Sequence, residues 1–278
     1  MKKNWLHFLL FALTVGTTSL AGALMTGNEP ELSLAFVLSG LPFSASLLGI
    51  LGIHELGHYF ASRYHGVNAT LPYFIPFPTI IGTFGAFIKI KSAIPDRKSL
   101  FDIGFAGPAA GFIVAIPILL IGLSMSEIKP IIEVAEGQFS LGSSLIVWLF
   151  EKLIHGNLPP NSQLMIHPVG FAGWIGLWVT SINLLPIGQL DGGHIAYAAL
   201  GNKAYRLARW VWIALLPLAI LWPGWLIWGL VIFFVIRLKH PPTIYDWIPI
   251  DKKRRLLSVV ALIIFVITFT PKPFGTVF

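Results

Sequence analysis

The stretch "GILGIHELGHYFASRYHG", residues 49–66, sets two closely spaced histidines and a glutamate inside a run that otherwise reads as hydrocarbon. Ionisable groups at membrane depth cost a few kcal/mol each on insertion scales, so a chain that keeps them there generally uses them. The surrounding composition supports that depth. Of the 278 residues, 55% are hydrophobic and only 11% charged, whereas a soluble domain carries roughly 25% charge. The chain therefore reads as an integral membrane protein whose first partner is the lipid bilayer. At about 20 residues per span there is room for six or seven helices and short connections. A single transmembrane domain over 1–278 is predicted, without a separate soluble module.

Working outward, the stretch occupies the C-terminal half of an apolar run at 32–60. Before it lies a run at 5–24 that follows Lys2 and Lys3, and its nearly full length favours an uncleaved first span over a signal peptide. After it come runs at 103–123, 169–187, 207–222, 224–237 and 256–270, with Pro223 and Gly224 dividing the fifth span from the sixth. The predicted fold class is an all-α polytopic membrane protein of about six to seven transmembrane helices with one small re-entrant β-hairpin. The hairpin is "LPYFIPFPTIIGTFGAFIKIK", 71–91, whose prolines forbid a regular helix and whose second half is rich in β-formers. Such backbone is tolerated at membrane depth only when it packs against protein or lines a wet cavity. The segment 124–168 reads as an outside loop with an amphipathic helix around 143–155.

Charge orients this layout. With a cytoplasmic N-terminus, 16 of the 19 Lys and Arg fall in inside segments, and six of the seven glutamates fall outside, the exception being Glu55. The formal charge of +7 is thus explained by orientation, and nucleic acid is excluded as a partner. No organelle transit segment stands out, so a prokaryotic plasma membrane is the expected location, with the N-terminus and the ionisable site on the cytoplasmic side. Nothing in the sequence marks an oligomer. The chain has no cysteine, so any metal site must use His, Asp or Glu.

His54 and His58 are four residues apart and share one helix face, with Glu55 on the same turn. In an H-E-x-x-H arrangement the two imidazoles hold Zn²⁺ and the glutamate takes a proton from the attacking water. The alternative is a pair of interfacial histidines beside a snorkelling glutamate. Gly49, Gly52 and Gly57, which let another backbone come close, argue for the functional reading. A catalytic zinc takes three protein ligands. His65 is on the same face but lies roughly 10 Å further along the axis, and the residues at Ala61 and Tyr64 do not continue a metzincin pattern. Asp191, in "SINLLPIGQLDGGHIAYAALG" (181–201), is the better third candidate, on the same side of the membrane as His58. It competes with the reading that Asp191 merely caps a helix starting near Ile195, and with Asp96 and Asp102 as rival ligands.

Taken together, "HELGH" (54–58) within a membrane run and "NLLPIGQLDGG" (183–193) resemble the site-2 protease family of intramembrane zinc metalloproteases. The resemblance extends from about 40 to 250 and takes in "GTFGAF" (82–87), "FDIGFAGPAAG" (101–111) and "HPP" (240–242). It implies one Zn²⁺ per chain held by His54, His58 and Asp191, with Glu55 as general base. It also implies that Asn183 contacts the substrate backbone or the developing oxyanion, and that single-span transmembrane proteins are the substrates, cut in or near their membrane segments. His194, beside Asp191, is read as a supporting or substrate contact or as an inert interfacial residue. The hairpin, through Phe84 and Gly85, is expected to offer an edge strand to an unwound substrate. No PDZ-sized insertion or nucleotide-sensing module accompanies the motifs. Two other classes stand against this reading: a catalytically silent membrane binding protein, and a metal transporter. Transporters spread polar residues over several helices and often repeat their halves; here the polar set is compact and unrepeated.

Overall fold

The computed structural model describes residues 5–26, 33–130 and 139–276. Lys2, Lys3, Glu29, Glu31, Glu133 and Glu136 of the charge pattern, and position 32 of the second apolar run, lie outside the described residues. The fold is mostly helical with small strands.

The first apolar run is α1, Trp5–Leu24. The second is not one helix. It divides into α2, Leu34–Ser39, capped by Ser33, and α3, Leu41–Tyr64, with a break at Gly40. Gly40 also lies directly against α1: a side chain on it would collide with the Ser19 carbonyl and the Ala23 amide. A hairpin follows, β1 (Tyr73–Pro76) antiparallel to β2 (Thr83–Phe87), with Tyr73 opposite Phe87 and Phe74 opposite Ala86. This is the strand pair that the proline and β-former pattern predicts for 71–91.

The central helix is α4, Arg97–Ser124, which starts ahead of its apolar run because Asp96 caps it, accepting from the Ser99 amide at 2.8 Å. It packs against α3, against α6 (Pro168–Asn183) and against α7 (Asp191–Leu200). Phe43, Leu47 and Leu51 of α3 meet Ala115, Leu119 and Leu123 of α4 and Trp174 of α6 in the main core. Between α4 and α6 the segment read as an outside loop holds more structure than predicted. The expected amphipathic helix is α5, Leu145–His155, but two ribbons accompany it. Strand β3 (Glu127–Pro130) pairs with β5 (Ser162–Met165), and β4 (Phe139–Leu141) with β6 (Phe274–Thr276). The remaining helices are α8 (Ala204–Leu218), α9 (Gly224–Val231), which runs into a π-helical turn over Ile232–Ile236, and α10 (Lys252–Thr268).

The structure supports the helical class but not the full count of six to seven spans. By length and composition, two helices among the described residues, α1 and α4, are long and apolar enough to cross a membrane. The later apolar runs fold into helices of 8 to 17 residues, short of the roughly 20 that a straight span uses. Their apolar flanks, such as Leu184–Ile187 after α6 and Ala219–Trp222 after α8, are turns instead of helix.

Candidate metal centre

His54 and His58 stand one turn apart on the buried face of α3, 4% and 7% exposed. Their Nε2 atoms are 3.1 Å apart. Asp191, the first residue of α7, brings Oδ2 to 3.3 Å from His54 Nε2 and Oδ1 to 3.3 Å from His58 Nε2. These donor atoms lie within 4.8 Å of one another, the one such cluster of His and carboxylate groups among the described residues.

The donor chemistry fits zinc. His58 Nδ1 lies 2.7 Å from the Ile103 carbonyl oxygen; a carbonyl only accepts, so Nδ1 carries a proton, which leaves Nε2, the nitrogen facing the other two donors, as the one a metal would take. Zinc takes N and O ligands at 2.0 to 2.2 Å, and ligands at the shorter of those lengths in a tetrahedron stand roughly 3.3 to 3.4 Å apart. Separations of 3.1 to 3.3 Å match that edge.

Glycines set how tightly the cluster closes. A side chain at Gly57 would put its Cβ 2.6 Å from the Ala106 carbonyl oxygen, and one at Gly111 would come within 2.9 Å of His54 Nδ1. At Gly107 it would overlap the His58 ring itself. α4 therefore presses bare backbone onto both imidazoles. On the α7 side, Gly192 and Gly193 lie against the carbonyls of the 184–189 turn, where added Cβ atoms would stand 2.6 Å from the Leu185 and Ile187 oxygens. That close seat turns Asp191 toward α3. Leu190 is the residue capping α7, without a side-chain hydrogen bond, so the capping role considered for Asp191 is set aside.

Glu55, 8% exposed, lines a cavity of about 230 Å³ together with His54, His58 and Asp191. Ile88 lines the same cavity. Asn183, the last residue of α6, reaches the same cavity with Nδ2 3.4 Å from His54 Nε2. Phe84 and Gly85 do not line this cavity. They face an adjoining apolar one of about 430 Å³, bordered also by Leu51, Trp178, Trp228 and Phe274 and sharing His54, Glu55 and Asn183 with the first. Strand β2 thus runs along both cavities.

The rival ligands are engaged elsewhere. Asp102 accepts from His65 Nε2 at 2.8 Å and from Arg254 Nε at 2.8 Å, and Arg254 also pairs with Asp251. Asp96 serves as the cap of α4. At the same charged end Arg97 donates to Asp246 at 2.9 Å, and that hydrogen bond is the main reason the Asp246 carboxyl is pushed down to about 2. His194 does line the cavity, and its Nδ1 is 2.7 Å from Nε2 of His240. His240 enters the sequence reading only through the "HPP" (240–242) of the resemblance, with no role of its own; the Pro-Pro pair after it fixes the backbone where its ring turns inward.

Comparison with known proteins agrees with this geometry. The profile of peptidase family M50 matches residues 42–220. "Probable zinc metalloprotease EGY1, chloroplastic" of Arabidopsis thaliana is 35% identical over 251 residues, covering 87% of this chain and 45% of the relative. "Probable zinc metalloprotease EGY2, chloroplastic" of the same plant is 31% identical, covering 87% of this chain and 44% of the relative. "Probable zinc metalloprotease EGY3, chloroplastic" of Oryza sativa subsp. indica is 27% identical, covering 98% and 49%. The chain spans a little under half the length of these relatives.

Proposed function

Because the chain belongs to peptidase family M50, we propose that it is a zinc-dependent metalloendopeptidase that hydrolyses peptide bonds in or near the transmembrane segments of single-span proteins. The observation that carries this is the convergence of His54, His58 and Asp191 beside Glu55 on one cavity bordered by a strand. Zinc, when bound by those three residues, supplies the Lewis acidity that polarises a carbonyl and acidifies water.

The chain's own groups account for the rest. Glu55 takes the proton from the attacking water and passes it to the leaving amine. Asn183 turns its Nδ2 toward the same cavity, where it can donate to the oxygen that gains negative charge. A membrane-embedded helix shields its peptide bonds with its own hydrogen bonds and must be unwound before attack. Strand β2 has β1 as its sole strand partner among the described residues, so its other edge can pair with an extended substrate through Phe84 and Gly85. The apolar cavity beside it receives the neighbouring side chains.

In this reading residues 1–278 form one transmembrane domain of six to seven membrane-embedded helices, with the short helices crossing where the bilayer thins locally and flanking residues snorkel to the interface. The N-terminus and the site share the positively charged side. The relatives are named as chloroplastic, which favours a plastid membrane over the prokaryotic plasma membrane expected from the sequence.

The test is cleavage of tagged single-span substrates by purified protein in liposomes, with zinc quantified, for wild type, Glu55→Gln and Asp191→Asn. Wild type should cut, Glu55→Gln should keep zinc and lose about 10²-fold or more in rate, and Asp191→Asn should lose zinc. Folded wild type that takes up no zinc, or Glu55→Gln that cuts at the wild-type rate, refutes the proposal.

A further inference from the structure

His194, left by the sequence between a supporting or substrate contact and an inert residue, and His240 have no part in the proposed reaction above, yet they are in contact. His194 Nδ1 and His240 Nε2 are 2.7 Å apart, and the rings meet edge to face at 83°. Counting protons fixes the arrangement. His240 Nδ1 bonds to the Pro241 carbonyl oxygen, and since a carbonyl only accepts, Nδ1 carries a proton. His240 is 8% exposed, and burial pushes its pKa below the ordinary histidine value, so the ring is neutral and its Nε2 is a lone pair. That lone pair, 2.7 Å away, requires the proton to sit on His194 Nδ1. The Nε2 of a neutral His194 is then an acceptor, and it has no hydrogen-bond partner among the described residues.

The brace behind His240 is itself ordered. Its ring stacks on Tyr197 with centroids 4.6 Å apart and planes 19° apart, and Arg97 lies over Tyr197 while pairing with Asp246. In front, His194 lines the cavity from α7, while β2 borders it through Ala86 and Phe87, and Ile88 follows just beyond the strand. A substrate strand laid along β2 has half of its backbone groups satisfied there. N–H groups on its far edge, shut off from water, need an acceptor from another wall.

We infer that His240 is a positioning residue that locks His194 in the Nδ1–H tautomer, so that His194 Nε2 accepts a hydrogen bond from a substrate backbone N–H beside the bond to be cut. The identity of the donor rests on the protease reading of the site; the tautomer lock does not.

Two measurements separate these parts. The first is ¹⁵N-histidine solid-state NMR on metal-free protein in liposomes, with the His194 signal assigned by its loss in His194→Phe. Wild type should give the Nδ1–H form. His240→Phe, which keeps a ring against Tyr197 but removes the acceptor, should release His194 into a mixture of tautomers, and His240→Gln, whose amide oxygen accepts, should restore the Nδ1–H form. An Nε2–H His194 in wild type overturns the lock. The second uses zinc-loaded protein and synthetic substrates in which an ester replaces one backbone amide at a time. One position should cost wild type about tenfold in kcat/KM, the scale of one lost hydrogen bond, and cost His194→Phe nothing further at equal zinc content. Equal ester costs in both proteins overturn the acceptor role. Wild type that cuts no substrate while holding the Nδ1–H form overturns the protease reading and leaves the lock standing.

Discussion

Gly107→Ala is the substitution with the most direct structural consequence, because it adds one methyl group where α4 touches a ligand. The new Cβ would overlap Nε2, Cδ2 and Cε1 of His58, the three atoms nearest to it. His58 has little room to yield: it is 7% exposed, and its Nδ1 is tied to the Ile103 carbonyl at 2.7 Å. Moving the ring therefore sacrifices that bond, about 0.5 to 1.5 kcal/mol, and forces the side chain off its rotamer, about 0.5 to 1.5 kcal/mol more. The sum, about 1 to 3 kcal/mol, corresponds to a zinc affinity lowered between about 5-fold and 150-fold. Gly111→Ala is the graded control. Its Cβ would stand 2.9 Å from His54 Nδ1, so a shift of a few tenths of an ångström relieves it, and the loss should stay under about tenfold. The assay is chelator-competition titration of zinc in detergent, with thermal unfolding to show that both variants fold. Gly107→Ala that folds and binds zinc within twofold of wild type would refute the placement of α4 against the ligand histidines.

Other expectations follow from the same geometry. Asp102→Asn should destabilise the protein by about 1 to 3 kcal/mol in denaturant titration, since His65 and Arg254 lose a charged acceptor, while zinc stoichiometry stays at the wild-type value; zinc loss would make Asp102 a ligand after all. Asp246 is held ionised by Arg97, its pKa pushed from 3.8 down to about 2, so its stabilisation is complete above the ordinary carboxylate range and disappears as pH falls through about 2. Asp246→Asn should accordingly lower stability near pH 6 by less than about 1 kcal/mol, the pair being partly exposed, with the gap to wild type closing between about pH 4 and pH 2; a gap independent of pH removes the electrostatic account. Phe84→Pro deletes a backbone donor on β2 at a residue without a ladder partner across from it, and should cut proteolysis about tenfold or more at unchanged zinc content. Undiminished cleavage would remove substrate pairing with β2.

The first ligand pair was legible because four-residue spacing on a helix leaves no doubt about which way two side chains face. Asp191 was legible only as a candidate. Whether a carboxylate before two glycines caps its own helix or reaches a neighbour depends on where that helix is seated, and Gly192 and Gly193 act through the backbone of the 184–189 turn, which one-dimensional spacing does not reveal. The hairpin showed itself through prolines and glycines that exclude helix. The two ribbons β3–β5 and β4–β6 did not, since strands of three or four residues are too short to establish a period of two. Helix ends were misjudged because hydropathy marks where a chain is apolar and not where its hydrogen-bond ladder stops: α4 begins in charged residues at Arg97, and α6 stops at Asn183 with apolar residues still to come. His240 was missed because its partner is contributed by another element, and a lone histidine before two prolines carries no spacing signal of its own.

The ligands come from two helices separated by more than a hundred residues of chain. Neither helix alone offers the three donors, and α4 packs against both where the imidazoles and the carboxylate face one another. An ion held there acts as a clasp closing a long loop, and much of its binding free energy is felt as cohesion of the helix packing. On the proposed reading the capacity to hold the ion is consequently born late in assembly: a nascent chain that has made α3 but not α7 has no clasp to close.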